Sequence, residues 1–143
     1  MKIRIQKTSE DAVMPKYAHD DDSGMDVYST KEIILQSMAR TLMPLGFKMA
    51  VPKGYEAQIR PKSGLALKQG ISVANAPGTI DAGYRGDMGV ILINYSKEPV
   101  KIEKSQKIAQ MVIQKVEKAE IEITETLDKT KRGSGGFGST GLK

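Results

Sequence analysis

The sequence contains no cysteine and no tryptophan, and only one histidine, His19. Without cysteine there can be no disulfide and no thiolate metal site, and the redox compartment is left open. One histidine and no cysteine leave little material for Ser-His-Asp or Cys-His catalysis. Aromatic residues make up 5% of the chain, too few for an extended platform on which single strands could stack, so no stable nucleic-acid binding is expected. No apolar run approaches the ~20 residues of a membrane span. The opening Met1-Lys2-Ile3-Arg4-Ile5 has none of the features of a secretory signal. The expectation is a cytoplasmic protein without membrane contact.

What is present is ordinary for a globular chain: 143 residues, 39% hydrophobic and 27% charged. That length favours one domain with a substantial core. The formal net charge of +5 suits a polyanionic ligand, a nucleotide included, and equally a merely solvated basic surface.

The most informative stretch is Gly78 to Asn94. Its second half, Met88 to Ile93, is an apolar run of strand length. Its first half crowds glycines and carboxylates around Tyr84. A turn needs the glycines, but it does not need Asp81 and Tyr84 as well. Taken alone, the stretch reads as a polar hairpin tip or as a site.

Alternation predicts strands over Lys2–Gln6 (half-buried through Ile3 and Ile5), Met25–Ser29, Glu32–Gln36, Leu42–Val51, Tyr55–Ile59, Ile71–Ala74, Pro99–Glu103 and Ala119–Glu125. In Met25–Ser29, Asp26 and Tyr28 should face away from Met25 and Val27. Ser63 to Gly70 reads as one or two helical turns, with Ser63 as N-cap and Gly70 as the stop. Lys107–Ala119 fits both a helix and a doubly buried strand, and the short strands around it favour the strand. The fold expected is all-β, a jelly roll or distorted barrel, with one short helix after Pro61. Residues 1–125 form the domain and 126–143 a mobile arm, since Gly133 to Gly141 holds five glycines in nine residues.

The arm carries G-x-G-x-x-G twice, at Gly133-Gly135-Gly138 and Gly136-Gly138-Gly141. A dinucleotide fold needs a helix after that pattern, and only two residues follow; no Gly-Lys-Ser/Thr of a phosphate loop is present either. Arg132 could fork onto a phosphate and Phe137 could stack on a base, or the arm could be an inert tail. His19 beside Asp20-Asp21-Asp22 reads as a solvated loop, because consecutive carboxylates rarely converge on one ion. Ser63-Gly64 at a helix start, with Lys62 beside it, could seat phosphate oxygens or be a plain cap.

Five segments in order resemble the trimeric dUTPases: Ser23-Gly-Met-Asp-Val-Tyr-Ser29, Arg60-Pro-Lys-Ser-Gly-Leu-Ala66, Gly78-Thr-Ile-Asp-Ala-Gly-Tyr-Arg-Gly86, Lys107-Ile-Ala-Gln110, and Arg132-Gly-Ser-Gly-Gly-Phe-Gly-Ser-Thr-Gly141. The resemblance implies a jelly-roll protomer, a homotrimer with shared active sites, and Mg²⁺-dependent cleavage of dUTP to dUMP and pyrophosphate. That activity keeps uracil out of DNA and supplies dUMP for thymidylate synthesis. It implies Asp81 as the base directing water at the α-phosphorus, with Gln110 also in the catalytic set. Tyr84 would exclude a 2′-hydroxyl, while Asn75, Thr79 and the turn up to Tyr84 would read uracil. Lys62, Ser63, Gly64 and Gln110 would hold phosphates, and Asp26 would act on the metal through water. Arg132, Phe137 and Gly138 would come from another subunit's arm. A dCTP deaminase-related enzyme and a non-catalytic dUTP-binding module are the alternatives. Two departures from the family pattern stand out: Lys62 where arginine is usual, losing a bidentate fork, and Ser105-Gln106 where Gly-Asp/Glu is usual, to which no role is transferred.

Overall fold

A computed structural model describes residues 1–139; Thr140 and Gly141 of the last glycine motif lie outside the described residues. The strands are β1 (Arg4–Lys7), β2 (Gly24–Tyr28), β3 (Ile33–Leu35), β4 (Arg40–Pro44), β5 (Phe47–Ala50), β6 (Tyr55–Pro61), β7 (Ile71–Val73), β8 (Gly78–Ile80), β9 (Gly89–Asn94), β10 (Val100–Ile102) and β11 (Lys107–Lys115), with one helix, α1 (Ser63–Gln69). Every pairing among them is antiparallel. The larger sheets run β2-β11-β6-β8 and β4-β9-β7; β1-β5 and β10-β3 form two-stranded ribbons. This is the expected all-β class with its one short helix after Pro61. Among the described residues no helix is long and apolar enough to cross a membrane.

The core is read directly from strand periodicity. Phe47 and Met49 of β5, Ala57 and Ile59 of β6, and Val90 and Leu92 of β9 alternate inward and are buried. Each of these side chains other than Ala57 contributes roughly 1.5–3 kcal/mol by leaving water. β11 resolves the ambiguous Lys107–Ala119 segment as a strand ending at Lys115. It lies between β2 and β6, so Ile108, Ala109, Met111 and Val112 are all buried. Val112 is buried as well as Met111, and neighbouring Ile108 and Ala109 meet at a register shift against β2, so the polar alternation that separates strand from helix in sequence is lost.

Several expectations change. Leu42–Val51 is not one strand: it breaks at Leu45-Gly46, where Gly46 takes φ 73° and its carbonyl accepts the Thr8 and Ser9 N–H groups. A Cβ there would stand 2.9 Å from Ala12 Cβ, so glycine is required twice over. The first strand starts at Arg4 rather than Lys2, and its burial is split: Ile3 packs partly buried against the core as expected, whereas Ile5 and the rest of β1 are exposed. β2 forms as the expected strand, and it is buried on both faces at its end: Asp26, Val27 and Tyr28 are all buried. The Ala119–Glu125 strand does not form. Ile121 and Ile123 are 87% and 96% exposed, since alternation specifies a strand only where an edge is available to pair with it. Finally, Lys62 is the N-cap of α1 and Ser63 its first helical residue, with no side-chain cap bond. Gly70 does end the helix, in the left-handed region and donating to Ala66 and Leu65 carbonyls.

Candidate active site

Seven of the residues singled out from the sequence line two depressions that share no lining residue: Asn75, Thr79, Asp81 and Tyr84 one of them, Asp26, Lys62 and Gln110 the other. The first, of about 270 Å³, lies between β8 at one sheet edge and the β4-β9-β7 sheet. Asn75, Thr79, Asp81 and Tyr84 line it together, over an apolar floor that includes Ile59 and Val90. β8, which sequence reading did not separate from the turn, pairs Gly78 with Ile59 and Thr79 with Gln58. That pairing fixes the polar residues above the pocket floor.

The turn after β8 is held at both ends. The Tyr84 N–H donates to the Asp81 carbonyl at 3.0 Å, and the Tyr84 hydroxyl donates to the Asp87 carbonyl at 3.0 Å. Arg85 closes the turn outward by donating to the Ala82 and Tyr84 carbonyls. Asp87 in turn accepts the Thr8 hydroxyl at 3.2 Å, tying the turn to the segment after β1. Asp87 is thus an organising residue that sequence reading missed; the carboxylate two residues beyond Arg85 was the available signal. Among the described residues the Asp81 carboxylate makes no hydrogen bond or ion pair, so both oxygens are free to accept from water or substrate.

The second depression, about 310 Å³, is polar and is lined by Asp22, Gly24, Asp26, Lys62, Lys107 and Gln110 among others. Its centre is built by strand register: Gln110 of β11 stands opposite Asp26 of β2, so both project to one face of the sheet and line the depression. The Gln110 amide donates to the Pro61 carbonyl at 3.2 Å. Gly24 makes room for it, since a Cβ at residue 24 would lie 2.5 Å from Gln110 Oε1. Lys62 pairs with Asp26 Oδ1, and Lys107 Nζ lies 2.6 Å from Asp26 Oδ2. Burial of Asp26 opposes its ionisation, but hydrogen bonds from Lys107 and Lys62, with their charges, outweigh it. Its carboxyl is held below the ordinary 3.8. The same hydrogen bond to Asp26 holds the Lys107 ammonium above its ordinary 10.5.

Ser63 and Gly64 are exposed at the start of α1, beside Lys62. Arg132, Phe137 and Gly138 line neither depression. Arg132 Nε donates to the Gly135 carbonyl at 2.8 Å, and the Phe137 side chain is fully exposed. Among the described residues no three carboxylate or imidazole groups converge into a metal cage, and His19 with its neighbouring aspartates forms none.

A family model for dUTPase matches residues 10–141. The deoxyuridine 5′-triphosphate nucleotidohydrolase of Clostridium novyi is 53% identical over 142 residues, covering 99% of this chain and 100% of the relative. That of Clostridium tetani is 51% identical over 139 residues, covering 97% and 96%. Among solved structures, a Staphylococcus bacteriophage 80alpha dUTPase mutant with dUpNHpp aligns with a TM-score of 0.89 at 25% identity, covering 99% of both chains. A mutant dUTPase of phage phi11, described with a structural Mg(II) ion, shares the fold with a TM-score of 0.83 at 22% identity, covering 90% of this chain and 100% of that one.

Proposed function

The chain belongs to the dUTPase family, and we propose that it cleaves dUTP to dUMP and pyrophosphate through water directed by Asp81. The water oxygen bonds to the α-phosphorus as the bond from that phosphorus to the bridging oxygen breaks. The water proton passes to the Asp81 carboxylate, and pyrophosphate leaves. A positioned base of this kind is worth roughly 10²–10⁴ in rate. The observation that carries this reading is the unengaged Asp81 carboxylate on the rim of a pocket it shares with Asn75, Thr79 and Tyr84.

Uracil fits the role of ligand there because the pocket combines an apolar floor with polar edges. Asn75 and the β8 turn supply groups for its hydrogen-bonding edge. Tyr84 covers the sugar and leaves no room for a 2′-hydroxyl. A polar base-reading site rejects the wrong base strongly, since mismatched donors stay unpaired.

The phosphates belong to the second depression, through Lys62 and Gln110, with Ser63 and Gly64 beside it. Because one protomer keeps its base pocket and this depression apart, we infer that copies of the chain complete each site together, as a homotrimer. The arm from residue 126 then closes over a neighbouring site, bringing Arg132 to the phosphates and Phe137 and Gly138 over the base. Such a closing segment admits substrate and then excludes water.

Magnesium fits this arrangement as an ion brought by the triphosphate. Asp26 and Asp22 line the depression beside two lysines, a donor set that reaches an ion through its water shell rather than caging it. When bound, the ion neutralises charge building on the phosphates. The work proposed is that of a cytoplasmic enzyme of nucleotide metabolism.

The test is incubation with dUTP, dCTP, dTTP and UTP in the presence of Mg²⁺, following pyrophosphate release and the identity of the base. Pyrophosphate and dUMP from dUTP alone are expected; no pyrophosphate from dUTP would remove the reading, and loss of the amino group from dCTP would favour the deaminase.

A further inference from the structure

We propose that Lys107 is a second phosphate-binding cation of this site, kept aimed at the triphosphate by Asp26. The inference rests on the dUTPase reading above and adds to it a residue that took no role there.

Strand period argues against the position. Lys107 and Gln110 lie three residues apart on β11, and in a regular strand an odd separation sends two side chains to opposite faces. Yet both line the same depression. The reason is a register shift in the β2–β11 pairing between Lys107 and Ala109. The extra residue lets Ile108 and Ala109 both turn into the core, and Lys107 returns to the Asp26 side. Bulges of this kind re-aim a side chain and are frequent beside active sites.

What the bulge delivers is one carboxylate between two ammonium groups. Lys62 takes Asp26 Oδ1 and Lys107 takes Asp26 Oδ2. Each ammonium has three donors and commits one to Asp26. Their side chains are 28% and 47% exposed, so the other donors open onto the depression. Asp26 is fixed by its backbone as well, its N–H donating to the Lys16 carbonyl at 2.9 Å. The remaining carboxylate of the depression, Asp22, accepts the His19 N–H at 2.9 Å. Two lysines and two carboxylates thus meet in one cradle, which suits a triphosphate that arrives with a divalent cation: ammonium groups for phosphate oxygens, carboxylates for the ion's water shell. Lysine at 62 makes a partner more useful, because an ammonium cannot fork onto two oxygens as a guanidinium can.

The alternative is that Lys107 only fastens Asp26. The two roles separate when ligands with and without phosphates are compared. Calorimetric titration of the full-length wild type, Lys107→Gln and Lys107→Arg with an imido analogue of dUTP plus Mg²⁺, and separately with deoxyuridine, gives the answer. Loss of one charge-assisted contact should weaken analogue binding by about tenfold or more in Lys107→Gln, leave deoxyuridine binding unchanged, and be largely restored in Lys107→Arg. Equal analogue binding by wild type and Lys107→Gln would overturn the proposal, as would an equal loss for both ligands. A wild-type protein that holds neither ligand would instead overturn the dUTPase reading on which it rests.

Discussion

Gly86 lies against the Tyr84 ring so closely that a Cβ at residue 86 would stand 2.3 Å from the Tyr84 hydroxyl oxygen and 2.5 Å from the ring carbon that bears it. Only a residue without a side chain lets the tyrosine fold back and donate to the Asp87 carbonyl. The atoms that would collide are the far end of an exposed side chain. Tyr84 can therefore swing outward at small cost to the fold, but only by leaving the pocket. Gly86→Ala should keep its melting temperature within a few degrees of wild type, raise KM for dUTP, and narrow the preference for dUTP over UTP. Steady-state kinetics on both nucleotides checks this; unchanged selectivity would show that Tyr84 does not guard the sugar.

Gly24 has the same relation to Gln110, with less freedom. An added methyl would meet Gln110 Oε1 at 2.5 Å and its Cβ at 3.3 Å. The second contact cannot be relieved by rotating the side-chain end alone. Gly24→Ala should cost about 1–3 kcal/mol as overpacking does, seen in urea unfolding, and should lower kcat/KM by displacing the amide from the phosphate depression.

Asp81→Asn keeps the shape of the side chain and removes the base. Turnover should fall by roughly 10²–10⁴, while affinity for an imido analogue of dUTP stays within a few-fold of wild type. Single-turnover kinetics and calorimetry separate the two quantities. A variant that turns over normally would remove Asp81 from the chemistry.

Ending the chain before Arg132 removes no strand and no helix among the described residues. The shortened protein should keep the wild-type number of copies per assembly, as its mass in solution reports, and an unchanged unfolding midpoint, with kcat/KM severely reduced. Loss of folding instead would make the arm structural.

Asp26 makes stability depend on pH in a stated direction. Its carboxyl is held below 3.8 in the folded chain, so its contribution is fully present above that value and is lost as pH falls through the lower folded value. Asp26→Asn should therefore be destabilised at pH 7, and the gap to wild type should shrink as acid protonates the native carboxyl. Urea midpoints across the acid range test this; a gap independent of pH would show that the lysine pairs do not supply it.

Much of the fold was open to sequence reading because it is local. Phe47, Ala57, Ile59 and Leu92 alternate as strands do, and Gly70 stops α1 where a left-handed residue is needed. The five family-like segments, read by position, supply the proposed site residues. Where reading failed, the missing information was non-local. Glu120-Ile-Glu-Ile123 alternates perfectly well, yet no edge among the described residues receives it. β8 is too short for period to reveal, and exists because β6 offers a partner for Gly78 to Ile80. Strand period points Lys107 away from Gln110, and only the register shift on β11 brings both to one depression.

The all-β class, the one helix among the described residues and the inward residues of most strands are legible in the order of residues alone. All of these follow from period, turn chemistry and residue type within a few positions. Tertiary structure alone decided that Asp81 and Asp26 stand in separate depressions of one protomer, and that a bulge turns Lys107 onto Asp26. Both are consequences of register between distant strands, which hydrogen bonding across β2, β11 and β6 sets and no local pattern encodes.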